Sequence, residues 1–214
     1  MIYFKNNYKK ITKDTFIVSS HFNEDVRWLE NYNLPVVIVS KEGGRYHHLD
    51  HDKYYNVHIA PNKLREAGSY LWFIINYWNH LPEKMFFIHG HESAHHQKLP
   101  IDKAIEKYSD CLFQDFNNYQ TYHFVLSEDD SLFFDLWKQL YERRLGPIRK
   151  EFDFEHGAQF VLDRSLLKTH PLSFYRNIYD LCCHYARDEY TSYKITTFFE
   201  ATWHFIFNQD FLSK

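Results

Sequence analysis

Residues 86 to 96 of this chain read Phe-Phe-Ile-His-Gly-His-Glu-Ser-Ala-His-His. His89, His91, His95 and His96 bring four imidazoles close to the carboxylate of Glu92. Imidazole can ligate a metal, donate hydrogen bonds, or carry a proton near neutral pH. His89 and His91 are two residues apart, so in a continuing strand they share a face. The apolar run Met85 to Ile88 stops abruptly at His89-Gly90, which is the pattern of a buried strand ending in a polar loop. In open α/β sheets, ligands bind just outside the carboxyl ends of such strands.

Three further groups of residues carry chemistry. Ser20, His21, Asn23, Glu24 and Asp25 follow the run Thr15 to Ser19, where an amide or carboxylate can meet a base or ribose. The plain alternative is helix capping and a favourable macrodipole. Asn62 and Arg65 stand at the start of a helical pattern, where Asn62 is the expected cap and Arg65 can grip a phosphate or pair with a carboxylate. Glu200 and His204 are four residues apart and share a helix face, so Glu200 is a candidate general base. Asp153 and Glu155 are its runners-up, and His204 is a candidate third metal ligand or phosphate contact.

The elements that would position these groups are legible as patterns. Strands are expected over Thr15 to Ser19, Leu34 to Ser40, Asn56 to Ala60, Met85 to Ile88, His123 to Leu126 and Ala158 to Asp163. Helices are expected over Val26 to Tyr32, Leu64 to Trp78, Ile101 to Lys107, Leu132 to Arg144, Pro171 to Tyr185 and Phe198 to Phe207. Lys41 to Tyr54 reads as a loop and Ser165 to Lys168 as the start of a turn. Strand–helix alternation over the first 90 residues predicts a three-layer α/β domain with a central mixed sheet, the later helices adding to the same sheet. No repeat or linker is evident, so one domain spanning residues 1–214 is expected.

Composition narrows the classes. Only 6 of 214 residues are Gly, and there is neither GxGxxG nor GxxxxGK[ST], so a glycine-rich phosphate loop is nearly excluded. A net charge of −3 argues against a nucleic-acid surface. Aromatic content is 20%, enough to line a pocket for ring-shaped ligands, although the five Trp read first as core. The three cysteines, with Cys182 and Cys183 adjacent, have no metal or disulfide spacing and suggest a reducing compartment. No signal peptide or membrane span is visible, so a cytoplasmic protein is expected.

Four blocks together resemble an uncharacterised family, domain of unknown function family 3431. They are Ser20 to Leu29; Pro61 to Ala67 with Tyr70-Leu71, Asn76-Tyr77 and Leu81-Pro82; Phe87 to His91 with His96; and Gly157 to Val161 with His170-Pro171, Tyr175, Glu200 to His204 and Phe207. Two positions depart from the family pattern. Leu64 stands where the family usually has Gly, and His95 where it tends to have Trp.

The family's layout in turn resembles a glycosyltransferase of the GT-A type, a single Rossmann-like nucleotide-sugar domain. That resemblance implies a nucleotide sugar as donor and a carbohydrate as acceptor. It also puts His89-Gly90-His91 where such enzymes carry a metal-binding Asp-x-Asp. On this reading His89, His91 and His204 would hold Mn²⁺, Mg²⁺ or Zn²⁺, or would act without metal as hydrogen-bond donors to the leaving diphosphate. Glu200 would deprotonate the acceptor hydroxyl in an inverting transfer. Two other classes compete. One is a metal-dependent hydrolase using His89, His91, His95 and His96 with Glu92 as base, although HxHxxxHH is not HExxH. The other is a carbohydrate-binding protein on a degenerate transferase fold.

Overall fold

The computed structural model describes residues 15–32, 34–44, 55–93, 97, 99–116, 121–127, 130–155 and 157–207. His95, His96 and most of the 41–54 loop lie outside them.

The sheet is built on β1 (Thr15–His21), β2 (Val36–Lys41), β3 (Tyr55–Ala60) and β4 (Lys84–His89). All four are parallel, in the order β3-β2-β1-β4. β8 (Phe160–Asp163) adds antiparallel to β4, and β5 (Phe113–Asp115) adds antiparallel to β8, so the six-stranded sheet is mixed as expected. β2 is buried along its whole length, which is why it reads as one apolar run. A separate ribbon pairs β6 (Thr121–Val125) with β7 (Glu151–Glu155).

Alternation along each strand divides the core. Val18, Val37, Val39, Met85 and Phe87 face one side, with buried residues of α1 (Arg65–Asn76), α3 (Ser131–Leu140), α6 (Leu172–Tyr185) and α7 (Glu189–Phe207). Ile17, Val36, Ile38, Phe86 and Ile88 face the other, against the 3-10 helix Arg27–Asn31 and α2 (Ile101–Tyr108). Helices therefore cover both faces of the sheet. α4 (Glu142–Leu145) and α5 (Arg164–Leu167) are single turns.

Several expectations are corrected. Residues 27–31 form a 3-10 turn behind Val26, with no cap from Asn23. Asn62 does not cap α1, because the chain first turns left-handed and the helix starts behind Leu64. Leu64 has φ 60° and Arg65 φ 42°, a region that favours glycine. A glycine at position 64, which the family resemblance implies, would take that turn without strain. Here the Leu64 side chain is fully buried, so its burial offsets a backbone strain of about 1–3 kcal/mol. The helix expected over residues 132–144 breaks at Tyr141, between α3 and α4. The last helix begins nine residues before Phe198, at Glu189. Its start is marked by Asp188, whose Oδ1 accepts the Thr191 N–H at 2.8 Å, as a capping aspartate does.

Candidate functional site

The order β3-β2-β1-β4 reverses direction between β1 and β4. At such a switch point the loops leaving adjacent strands part and open a crevice. Ser20 is in register with His89, so the loops after β1 and β4 leave the sheet side by side, as one shared site requires. A cleft of about 500 Å³ opens between them, lined by Glu24, Asp25, Arg27 and Trp28 from the first loop and His91, Glu92 and Ser93 from the second.

The two loops are clasped together. Trp28 donates its indole N–H to the Gly90 carbonyl at 3.0 Å. Glu24 Oε2 accepts the amides of Phe22 at 2.6 Å and Asn23 at 3.0 Å. Burial opposes ionisation of Glu24, but these amides and its own outweigh it and hold the carboxyl below its usual range. Its other oxygen lies 3.7 Å from His91 Nε2. A Cβ on Gly90 would fall 2.9 Å from the Ser20 carbonyl oxygen and 3.0 Å from Glu24 Oε2. Gly90→Ala should therefore push the loops apart and cost about 1–3 kcal/mol. Urea unfolding measures that loss, and an unchanged midpoint would show the clasp to be loose.

Of the residues assigned to nucleotide binding, Ser20 and His21 prove interior. Ser20 Oγ meets Ser69 Oγ of α1 at 2.8 Å, both buried. His21 is 1% exposed, with Nε2 3.1 Å from the Glu24 carbonyl and Nδ1 2.7 Å from Ser40 Oγ. A carbonyl only accepts, so Nε2 carries the proton and, in the neutral ring, Nδ1 accepts from Ser40. Both residues hold the crevice's foundation and do not line it. Asn23 and Asn62 are exposed. Arg65 pairs with Glu189 and lies over the Tyr193 ring at 5.1 Å, so the ion-pair reading of Arg65 is the one its geometry supports.

His89 is the last residue of β4 and points, like Phe87, to the α1 and α7 side. Its amide donates to Gln159 Oε1 at 3.2 Å. Burial lowers its pKa; Glu66 and Glu24 oppose the shift and His91 reinforces it. His89 is thus within electrostatic reach of the crevice through Glu24 and His91, and of α1 through Glu66. His91 is exposed in the cleft. Glu200 of α7 is half-buried, and its carboxyl is pushed up to about 7 by burial first and by Glu66 second, with Arg65 opposing. Burial pushes the His204 imidazole down to about 4, so it is uncharged at neutral pH and cannot neutralise phosphate.

Among the described residues no three His, Cys, Asp or Glu side chains gather into a group that could hold a metal ion. His89, His91 and His204 accordingly do not form the expected ligand set. Asp153 lies on the exposed β6-β7 ribbon, 2.9 Å from His123 Nδ1, and Glu155 is on the same strand. No contact among the described residues places Asp153 beside the crevice, and the Glu155 side chain lies outside the described ones.

Glu66 was not singled out by its sequence position, although the spacing Glu66–Tyr70 on one helix face was there to be read. Arg27 and Trp28 were likewise missed as crevice residues. Trp28, Trp137 and Trp203 are core, being 8%, 6% and 2% exposed.

The chain belongs to the family described as protein of unknown function (DUF3431), which matches it over residues 16–123 and 106–213. No curated protein matches it. Among solved structures it is similar to HddC from Yersinia pseudotuberculosis, with 12% identity over 73% of this chain and 79% of that one and a TM-score of 0.37. A likeness that low decides neither fold nor activity.

Proposed function

We propose that this protein is a nucleotide-sugar-dependent glycosyltransferase acting on a glycan or glycoconjugate acceptor. The observation that carries the reading is the crevice at the carboxyl ends of β1 and β4, with His89 ending β4 and His91 lining the cleft. The crevice is where a parallel sheet receives a nucleotide. Arg27 carries permanent charge there, its guanidinium paired with Asp25, and His91 can donate from its ring to a diphosphate. These groups meet the charge of the leaving diphosphate.

In the step itself, the Glu200 carboxylate takes the proton of an acceptor hydroxyl, and the freed oxygen attacks the anomeric carbon of the donor. The bond from that carbon to the diphosphate oxygen breaks, and the nucleoside diphosphate leaves with the electron pair. A carboxyl pushed up to about 7 suits this work, because a base is most effective when its pKa lies near the working pH.

Thermal unfolding in the presence of UDP, GDP, ADP and CMP, their sugar conjugates, and Zn²⁺ or Mn²⁺ tests the reading. At 100 times Kd a bound nucleotide adds about 2.7 kcal/mol. One nucleoside diphosphate and its sugars should raise Tm by several degrees. Stabilisation by Zn²⁺ with none by any nucleotide would overturn the proposal in favour of the hydrolase.

A further inference from the structure

Three main-chain groups of His89 and Gly90, where β4 ends, are each held by a side chain from a different part of the fold. The His89 N–H donates to Gln159 Oε1 at 3.2 Å. The His89 carbonyl accepts the Ser19 hydroxyl at 3.2 Å, and the Gly90 carbonyl accepts the Trp28 indole N–H at 3.0 Å. Ser19 belongs to β1, Trp28 to the 3-10 helix, and Gln159 immediately precedes β8. Ser19 and Gln159 are fully buried and Trp28 nearly so. The β4–β8 ladder ends with the pair Phe87 and Phe160, and the Gln159 carbonyl has turned to the Phe116 N–H at 2.9 Å. The Gln159 carboxamide thus reaches His89 beyond the last ladder pair.

Packing alone does not account for a glutamine here. An N–H can only donate, so the oxygen of the carboxamide faces His89. Its NH2 group is then buried with no hydrogen-bond partner among the described residues, which opposes folding. A leucine would fill a similar volume without burying those donors. What the amide adds is its hold on the His89 N–H, two residues before His91. Gly90 leaves little slack between them, since even a Cβ there would fall 2.9 Å from the Ser20 carbonyl oxygen. A shift of the His89 backbone is therefore passed along the chain to His91, Glu92 and Ser93, which line the crevice.

We infer that Gln159 is a positioning residue of the crevice: with Ser19 and Trp28 it holds the main chain of His89 and Gly90, and so sets the second cleft loop against the first. The inference rests on the reading of the crevice as the nucleotide site. Gln159 is buried behind the strand end and acts on the ligand only through that loop. It fixes His91 opposite Glu24, 3.7 Å away, before a ligand arrives, so binding does not have to order the loop. The Gly157 to Val161 block, which carries part of the family resemblance, thereby acquires a role at the cleft.

Indole N–H spectra of the intact, 15N-labelled protein test the coupling. The Trp28 indole reports on Gly90, and the Trp137 indole, which donates to the Gly146 carbonyl at 2.9 Å, is an internal control. Gln159→Leu keeps the bulk and removes the acceptor. It should shift the Trp28 resonance and speed its exchange with water about tenfold, with Trp137 unchanged. Gln159→Glu restores an acceptor oxygen, because burial keeps its carboxyl protonated, and should return Trp28 to its native behaviour. Ser19→Ala removes a different hold on His89 and should move Trp28 likewise, so the test stands even where Gln159→Leu fails to fold. UDP and GDP titrations run beside the spectra. Whichever the native protein binds should bind Gln159→Leu about tenfold more weakly and Gln159→Glu normally. A response confined to Trp28, with neither nucleotide binding the native protein, sustains the positioning of the loop and refutes the transferase. A Trp28 resonance that ignores the substitutions, or moves only together with Trp137, overturns the positioning. Nucleotide binding equal in the native and Gln159→Leu proteins overturns it as well.

Discussion

Replacing Glu200 by Gln is expected to lower turnover by about two to four orders of magnitude, the span of a lost general base, while nucleotide binding stays near normal. The amide keeps the shape of the side chain and removes its proton affinity. In the native protein kcat/KM should rise with pH up to about 7, where the Glu200 carboxyl titrates. In the variant that acid limb should disappear. Stability moves the opposite way. The Glu200 pKa is raised on folding from 4.5 to about 7, so between those values the folded state binds more protons than the unfolded chain, and stability falls as pH rises. Glu200→Gln should therefore stabilise the fold at pH 8 by about 2 kcal/mol, allowing for its partial exposure. His204 contributes with the opposite dependence. Its pKa falls on folding from 6.5 to about 4, so its contribution is full above 6.5 and is lost as pH drops towards 4. Unfolding midpoints of Glu200→Gln between pH 4 and 8, beside turnover, check both effects. Full turnover in the variant would place the base elsewhere.

The two imidazoles of His89-Gly90-His91 should separate on substitution. His91 is exposed in the cleft, 3.7 Å from Glu24. His91→Ala should change stability by less than about 0.5 kcal/mol and weaken nucleoside diphosphate binding. His89 is the end of a core strand. His89→Ala should cost about 1–3 kcal/mol and also lose at least about a hundredfold in turnover, because it loosens the end of β4 from which the cleft loop leaves. Denaturant midpoints and nucleotide titration of both variants read these outcomes. A His91→Ala protein that binds nucleotide as tightly as the native one would remove His91 from the site, and equal stability losses would show that both rings are structural.

Apolar runs and their breaks were enough to locate β1, β2, β4 and β8, because strands buried on both faces must be apolar at consecutive positions. The carboxyl ends of β1 and β4 were recognisable as one site for the same reason: a buried run that stops at His21 or His89 delivers polar residues to the sheet's edge. β7 was legible in principle, since Glu151 to Glu155 alternates charged and aromatic residues, and went unread. β5, with three residues, is too short to show a period. Local sequence could not announce the left-handed turn at Leu64 and Arg65, because Leu carries no signal for a conformation that only its burial sustains.

Nor could spacing tell which polar residue lines the cleft and which lies beneath it. His21 and His91 are the same residue type at comparable strand ends. One is locked between Ser40 and the Glu24 backbone, and the other is open to the crevice. That difference is set by neighbours from other strands. The pairing of Arg65 with Glu189 was equally invisible, since it depends on α1 and α7 packing across more than 120 residues of chain. Periodicity acts over a few residues and dictates which face of an element is buried. Burial against a partner element, and the field of distant charges, dictate what the remaining polar groups can do.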